Sequence, residues 1–262
     1  MNEFDESTAL QAGQPHAWGA RSDPQREANT GMFGGWTAAM LLKAVLADAP
    51  DAGTPVSLTV HYLKLVPPGQ ALAIRTRPLA ASRAVATWQA ELSMDGAPEV
   101  AAQATVVLAK RRDSDAFTEL TMPDAPPPDG LPAFRPPGPF GQHSLVRPMR
   151  GFPPFNHPDT RALFWLRETS GRALDHVQLA YLADNYPPRN WTRLAAPGPY
   201  STLTMSVYFH ANAQEMAALG DDDVLVDVVG TRAESSTVGS VARIWSRSGA
   251  LLLTTEQMGW FR

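Results

Sequence analysis

The sequence predicts an α+β protein of two tandem halves, each an antiparallel sheet wrapped around one long apolar helix. Three observations lead to that reading. The chain repeats itself: the segment 82–103, turning at Asp95-Gly96, is echoed by 235–257, turning at Ser248-Gly249, and Ser82 and Ser235 stand as far apart as the two glycines do. Each half contains a helix with almost no polar face: Lys43 is the only charge between Phe33 and Ala47, and only Gln178 and Tyr181 interrupt the apolar run 177–183. A helix apolar on all sides has to be wrapped by other elements. Between the halves the composition breaks, with prolines at 123, 126, 127, 128, 132, 136, 137 and 139 removing backbone donors. Such a stretch reads as an extended surface linker.

Each element follows from local pattern. A short strand at 16–21 opens the first half. The run 29–50 enters its helix through Gly34 and Gly35 and stops at Pro50. Strands are expected at 56–66, 71–79, 84–94 and 100–109. Leu72, Ile74 and Thr76 alternate with polar or small residues, and Trp88 and Leu92 share a face, as in an antiparallel sheet buried on one side. The pattern then restarts, with a strand at 162–167, a helix at 174–184 stopped by Pro187-Pro188, and strands at 201–210, 224–232, 238–246 and 250–261. A sheet curled around one apolar helix buries it most simply, and two copies can pair edge to edge into a continuous sheet. That arrangement is a doubled hotdog, with halves at 1–120 and 159–262 and a linker at 121–158.

Composition removes several classes of function. The 262 residues include no cysteine, which excludes disulfides, thiolate catalysis and cysteine zinc sites. A net charge of −4 gives no field for nucleic acid. The acidic start of the chain does not read as a signal peptide, and no apolar run reaches the roughly 18 residues of a membrane span. A soluble cytoplasmic protein is expected. Glycine-rich nucleotide loops and the Gly-x-Ser-x-Gly elbow are missing, and the six histidines show no metal-ligand spacing. No metal or cofactor is expected. His61 and His210 read as strand-end residues without a catalytic partner in sequence.

Three polar residues stand in apolar surroundings. Asp184 ends the second helix, where burial would raise its pKa toward the range of a general base, although a helix-end Asp can equally leave for solvent. Thr202 and Gln257 lie on strands that can pass that helix, and each alone has an ordinary reading, Thr for β-propensity and Gln for the solvent face.

These segments resemble the acyl-CoA thioesterase II type, the double-hotdog thioesterases, over nearly the whole chain. Ala180-Tyr-Leu-Ala-Asp184 is similar to the helix segment with the family's catalytic Asp, the strand 201–210 to the one with its catalytic Thr or Ser, and Thr255-Glu-Gln257 to the last strand with its catalytic Gln. Gly34-Gly35, the strand and exit turn at 60–69 and the Asp95-Gly96 hairpin also fit. The resemblance implies that Asp184, Thr202 and Gln257 hold a water against a thioester carbonyl, with Asp184 taking its proton. Gly34 and Gly35, at a helix N-terminus, are expected either to offer N–H groups to the oxyanion or simply to turn the chain. Trp36, Met40, Tyr181 and Phe209 are expected where the halves meet, as an apolar acyl tunnel for medium or aromatic acyl-CoAs or as plain core. The first helix carries no acid at 33–47, so one site per chain is expected, and a homodimer or higher homo-oligomer would cover the sheet edges. The rival readings are a catalytically silent hotdog module that binds acyl thioesters, and a hydratase or dehydratase. The hydratases of this fold are expected to carry Asp and His five residues apart, a spacing this chain lacks.

Overall fold

A computed structural model describes residues 2–262. After a one-turn helix, α1 (Glu3–Ser7), come β1 (Gln11–Ala12), β2 (Ala17–Arg21), helix α2 (Gly34–Asp48), β3 (Thr54–Tyr62), β4 (Ala71–Ala81), β5 (Val85–Met94) and β6 (Val100–Ala109). The second half supplies β7 (Ser144–Arg150), β8 (Ala162–Glu168), helix α3 (His176–Leu182), β9 (Tyr200–Phe209), β10 (Val224–Glu234), β11 (Thr237–Trp245) and β12 (Leu251–Phe261). These strands form one twelve-stranded sheet in the order β1-β2-β4-β5-β6-β3-β9-β12-β11-β10-β8-β7. All the pairings are antiparallel, and the order reads alike from either end, as an internal duplication requires. The seam is the β3–β9 pair, in which Leu58 opposes Val207 and Val60 opposes Met205.

Both helices pack on the inner face. Trp36, Ala38, Ala39, Met40, Leu41 and Leu42 of α2 are fully buried, as are Leu179, Ala180 and Tyr181 of α3. The all-apolar surfaces are thus wrapped, as the sequence predicts, by sheet on one side and by the other helix on the next. α2 has no side-chain cap; its first turn closes through the Thr37 N–H donating to the Phe33 carbonyl, 3.2 Å. Among the described residues, no helix is long and apolar enough to cross a membrane.

Where the sequence suggests only linker, at 121–158, the structure is more ordered. Residues 144–150 form strand β7, paired with β8 at the sheet edge. Upstream, Met122, Ala125 and Leu131 pack over Trp165, Leu225 and Trp245, and the Trp165 indole donates to the Pro126 carbonyl, 2.9 Å. Proline richness denies this stretch a ladder of its own while leaving its carbonyls and apolar rings free to cover the outer face of the second half.

A buried ion pair links the halves. Arg26, ahead of α2, meets Glu168 at the end of β8 at 3.0 Å, and neither side chain touches solvent. The Tyr181 phenol lies 3.3 Å from the same guanidinium nitrogen, and the Gln178 amide donates to Glu168 at 2.8 Å. Removing one member of such a pair strands the other charge, whereas replacing both by apolar residues does not. Glu168→Gln should therefore cost about 3–5 kcal/mol, and Arg26→Met with Glu168→Leu should recover most of that loss. Urea denaturation of Arg26→Met, Glu168→Leu and the double variant measures the coupling, with Glu168→Gln alongside.

Candidate active site

The sheet register builds one wall of the site. On the inner face, Gly230 of β10, Ser240 of β11, Gln257 of β12 and Met205 of β9 are successive cross-strand neighbours. Ser240, Gln257 and Met205 are all buried. Gln257 therefore sits at an inward position of its strand, as the sequence suggests. Its amide donates to Asp184 Oδ1 at 2.8 Å, and among the described residues its other contact of this kind is the Met205 sulfur at 3.5 Å, a weak acceptor.

Asp184 follows α3 and is wedged against the start of α2. The Gly35 backbone N–H acts on its carboxylate, favouring the charged form. The two glycines make that approach possible. A Cβ on Gly34 would lie 2.6 Å from Asp184 Oδ2, and one on Gly35 would lie 2.3 Å from the Tyr181 carbonyl oxygen. The glycines thus do more than turn the chain: they let the α3 terminus come against the start of α2.

Burial raises Asp184 from 3.8 to about 7, against the opposing bonds from Gln257 and Gly35. As a whole the residue nevertheless keeps partial solvent exposure. Because its folded pKa lies above the unfolded one, burial costs no stability in acid. The cost grows as pH rises from about 4 through 7 and is complete above, at most about 4 kcal/mol and less by whatever the remaining solvent contact screens.

Thr202 reaches the inner face through a bulge. The β9–β12 register shifts between Thr202 and Thr204, which places Thr202 opposite Gly259, next to Gln257 along β12, and turns Leu203 outward. Its hydroxyl acts on the neighbouring Tyr200 phenol and makes no direct hydrogen bond to Asp184 or Gln257 among the described residues. Asp184 and Gln257 are therefore joined directly, with Thr202 beside them.

Three phenols that the sequence reading passed over complete the surroundings. Tyr62 donates to the Gly34 carbonyl at 3.0 Å, and Tyr186 shares a hydrogen bond with Ser240 at 3.2 Å. Tyr200 lies over Gly259, where a Cβ would come 2.3 Å from its ring and hydroxyl. Burial raises all three phenols, Tyr200 to about 12, and the Asp184 charge adds to the shift in each, so they stay protonated and able to donate. All three are partly exposed, like Asp184. Ser240 was findable from the sequence: among Val238, Ser240, Ala242 and Ile244 it is the one polar residue facing inward, the same kind of signal that Gln257 gives.

The four residues expected along an acyl tunnel are packed solid. Trp36 is fully buried and donates to the Ser7 carbonyl at 2.9 Å, and Met40 is fully buried in the same core. Tyr181 is enclosed by Phe4 and Phe33 edges, and Phe209 packs on His176. His61 is exposed, and His210, also exposed, bonds only Thr254 through its ring.

The doubled hotdog and the domain models that match its two halves define a class, the acyl thioester hydrolases. Residues 22–109 match the acyl-CoA thioesterase N-terminal domain and residues 119–261 the acyl-CoA thioesterase C-terminal domain. The chain belongs to the acyl-CoA thioesterase family and is a thioester hydrolase. A conserved hot-dog-fold protein of unknown function from Alicyclobacillus acidocaldarius is 31% identical, covering 100% of this chain and 98% of its own, with a TM-score of 0.94. The acyl-CoA thioesterase II TesB2 of Mycobacterium marinum, 18% identical over 99% of this chain and 98% of its own, has a TM-score of 0.78. The tesB protein of Mycobacterium avium subsp. paratuberculosis, at the same identity and coverage, has a TM-score of 0.81. At that identity these two show a shared fold. No curated protein sequence matches the chain.

The glycine contacts make a prediction. Gly35→Ala forces a methyl into the Tyr181 carbonyl and the Phe33 ring, so it should cost about 1–3 kcal/mol or more. By displacing Asp184 it should also lower kcat on the order of 10²-fold. A thermal melt and acyl-CoA hydrolysis on the same preparation check both; an unchanged kcat would show that Asp184 does not depend on this approach.

Proposed function

We propose that the chain hydrolyses acyl-CoA to the free acid and CoA, with Asp184 as general base. The observation that carries the reading is the 2.8 Å contact of the Gln257 amide with a carboxylate whose pKa burial raises to about 7. A base poised near the working pH is half ionised there, yet basic enough to take a proton from water.

In this mechanism a water lies between Asp184, Thr202 and Gln257. Its oxygen attacks the thioester carbonyl carbon while Asp184 accepts its proton. The second N–H of Gln257, otherwise spent on a thioether, and the protonated Tyr200 phenol are the donors for the developing oxyanion. The C–S bond then breaks, and the proton held by Asp184 passes to the leaving thiolate. Water is consumed, the acid and CoA are released, and no acyl-enzyme forms.

Asp184→Asn preserves shape, since Gln257 can turn its amide to offer an oxygen to the new NH₂ group. It removes proton acceptance, so kcat should fall on the order of 10²–10⁴-fold with the fold intact. Thr202→Ala and Gln257→Ala should each lower kcat, and together by less than the product of the single effects, because they serve one water. Steady-state release of free CoA is the readout. A fully active, folded Asp184→Asn protein would remove Asp184 from the mechanism, and absence of turnover with every acyl thioester would favour the silent binding module.

The pH dependence follows from the same carboxyl. Only its ionised form accepts a proton, so kcat/KM should rise with pH through about 7 and level off above. An ascending limb centred near pH 4, or none, would contradict a base with a raised pKa.

A further inference from the structure

We propose that Arg189 receives the far end of the acyl group and that the preferred substrates are thioesters of acyl chains ending in a carboxylate. The inference rests on the proposed hydrolysis at Asp184 and names its substrate class.

Arg189 follows Pro187-Pro188 and is 1% exposed. Its Nε donates to the Pro187 carbonyl at 2.8 Å and one terminal nitrogen to the Thr160 carbonyl at 3.2 Å. The other, Nη2, is buried with no partner, and so are both amide atoms of the adjacent, buried Asn190. Among the described residues no carboxylate lies within ion-pair distance of Arg189. Arg26, equally buried, is neutralised by Glu168 at 3.0 Å. A guanidinium withdrawn from water without a counter-charge is costly, and its free N–H is a strong donor without an acceptor. An anionic oxygen supplied by a ligand satisfies both.

The sheet register gives its place relative to the chemistry. Arg189 lies over Gly230, where a Cβ would come 3.0 Å from the Arg189 Cβ. Gly230 opposes Ser240, which opposes Gln257. Two strand spacings, about 10 Å, therefore separate the Gln257 rung from the Gly230 rung. Between them stand Ser240 and the Tyr186 phenol, so the row from Gln257 to Gly230 carries polar groups. The guanidinium is near enough for its charge to act on both Tyr186 and Tyr200. With its thioester carbonyl at Asp184 and Gln257, a short acyl chain extended along this row ends at Arg189. The apolar alternative, through Trp36, Met40, Tyr181 and Phe209, is filled by core packing.

The anion could also come from the CoA phosphates, and the test separates the two sources. Succinyl-, glutaryl- and adipyl-CoA are compared with butyryl-, valeryl- and hexanoyl-CoA, and the same acyl groups are compared on pantetheine, which lacks the nucleotide. The expected result is a preference for at least one diacid over its neutral match of about 10–100-fold in kcat/KM, kept on pantetheine. Arg189→Gln should bring that ratio close to one, mainly through the KM of the diacid thioester. Arg189→Lys, which keeps the charge without the planar fork, should give an intermediate ratio. Equal or better turnover of the neutral partners by the unaltered protein would overturn the inference whatever the variants do, and would leave the hydrolytic reading standing. A diacid preference that survives Arg189→Gln, or one that vanishes on pantetheine, would overturn it as well. Turnover of none of the thioesters would instead remove the hydrolysis on which it rests.

Discussion

The close approach of the α3 terminus to the N-terminus of α2 governs the rest of the site. Only glycine at 34 and 35 lets the Asp184 carboxylate and the Tyr181 carbonyl come so near the helix start. That contact sets the Gly35 backbone beside Asp184, whose carboxylate accepts from Gln257. It also crowds the carboxyl with protein, which is why its pKa rises in spite of two hydrogen bonds that oppose the rise. Reactivity and destabilisation have the same physical source here, because the ionised form that acts as a base is the form burial disfavours.

Duplication supplied the scaffold, and a difference between the two copies supplied the chemistry. Counted from the hairpin closed by Trp245 and Leu251, and from its counterpart closed by Ser93 and Val100, the rungs that hold Ser240 and Gln257 in the second half hold Trp88 and Val106 in the first. Both first-half residues are buried core. The first half thus fills with apolar volume the place where the second keeps a polar row. Together with the acid-free body of α2, this argues for a single reactive site per chain.

Most of the architecture was legible in the sequence because it depends on periodicity. The two apolar helices and the paired hairpins stand at the expected places. Strand β7 was not legible: it lies just beyond a proline-dense stretch and owes its conformation to pairing with β8, a tertiary fact. Asp184 and Gln257 could be singled out as polar residues at apolar positions. Tyr62, Tyr186 and Tyr200 could not, since a tyrosine is at home in any core and its hydroxyl acquires meaning only from its neighbours. The bulge that turns Thr202 inward is likewise a property of strand pairing. Arg189 was hidden because an arginine after two prolines looks like surface; only its burial without an acid partner marks it.

The central claim is that the fold holds the Asp184 carboxyl near neutrality. The most direct measurement is a titration of its side-chain carboxyl carbon by NMR in the intact protein, assigned by the resonance lost in Asp184→Asn. The expected midpoint is close to 7. A midpoint in the ordinary aspartate range, near about 3.9, would contradict the account, since the carboxylate would then be solvated and too weak a base to drive the proposed hydrolysis.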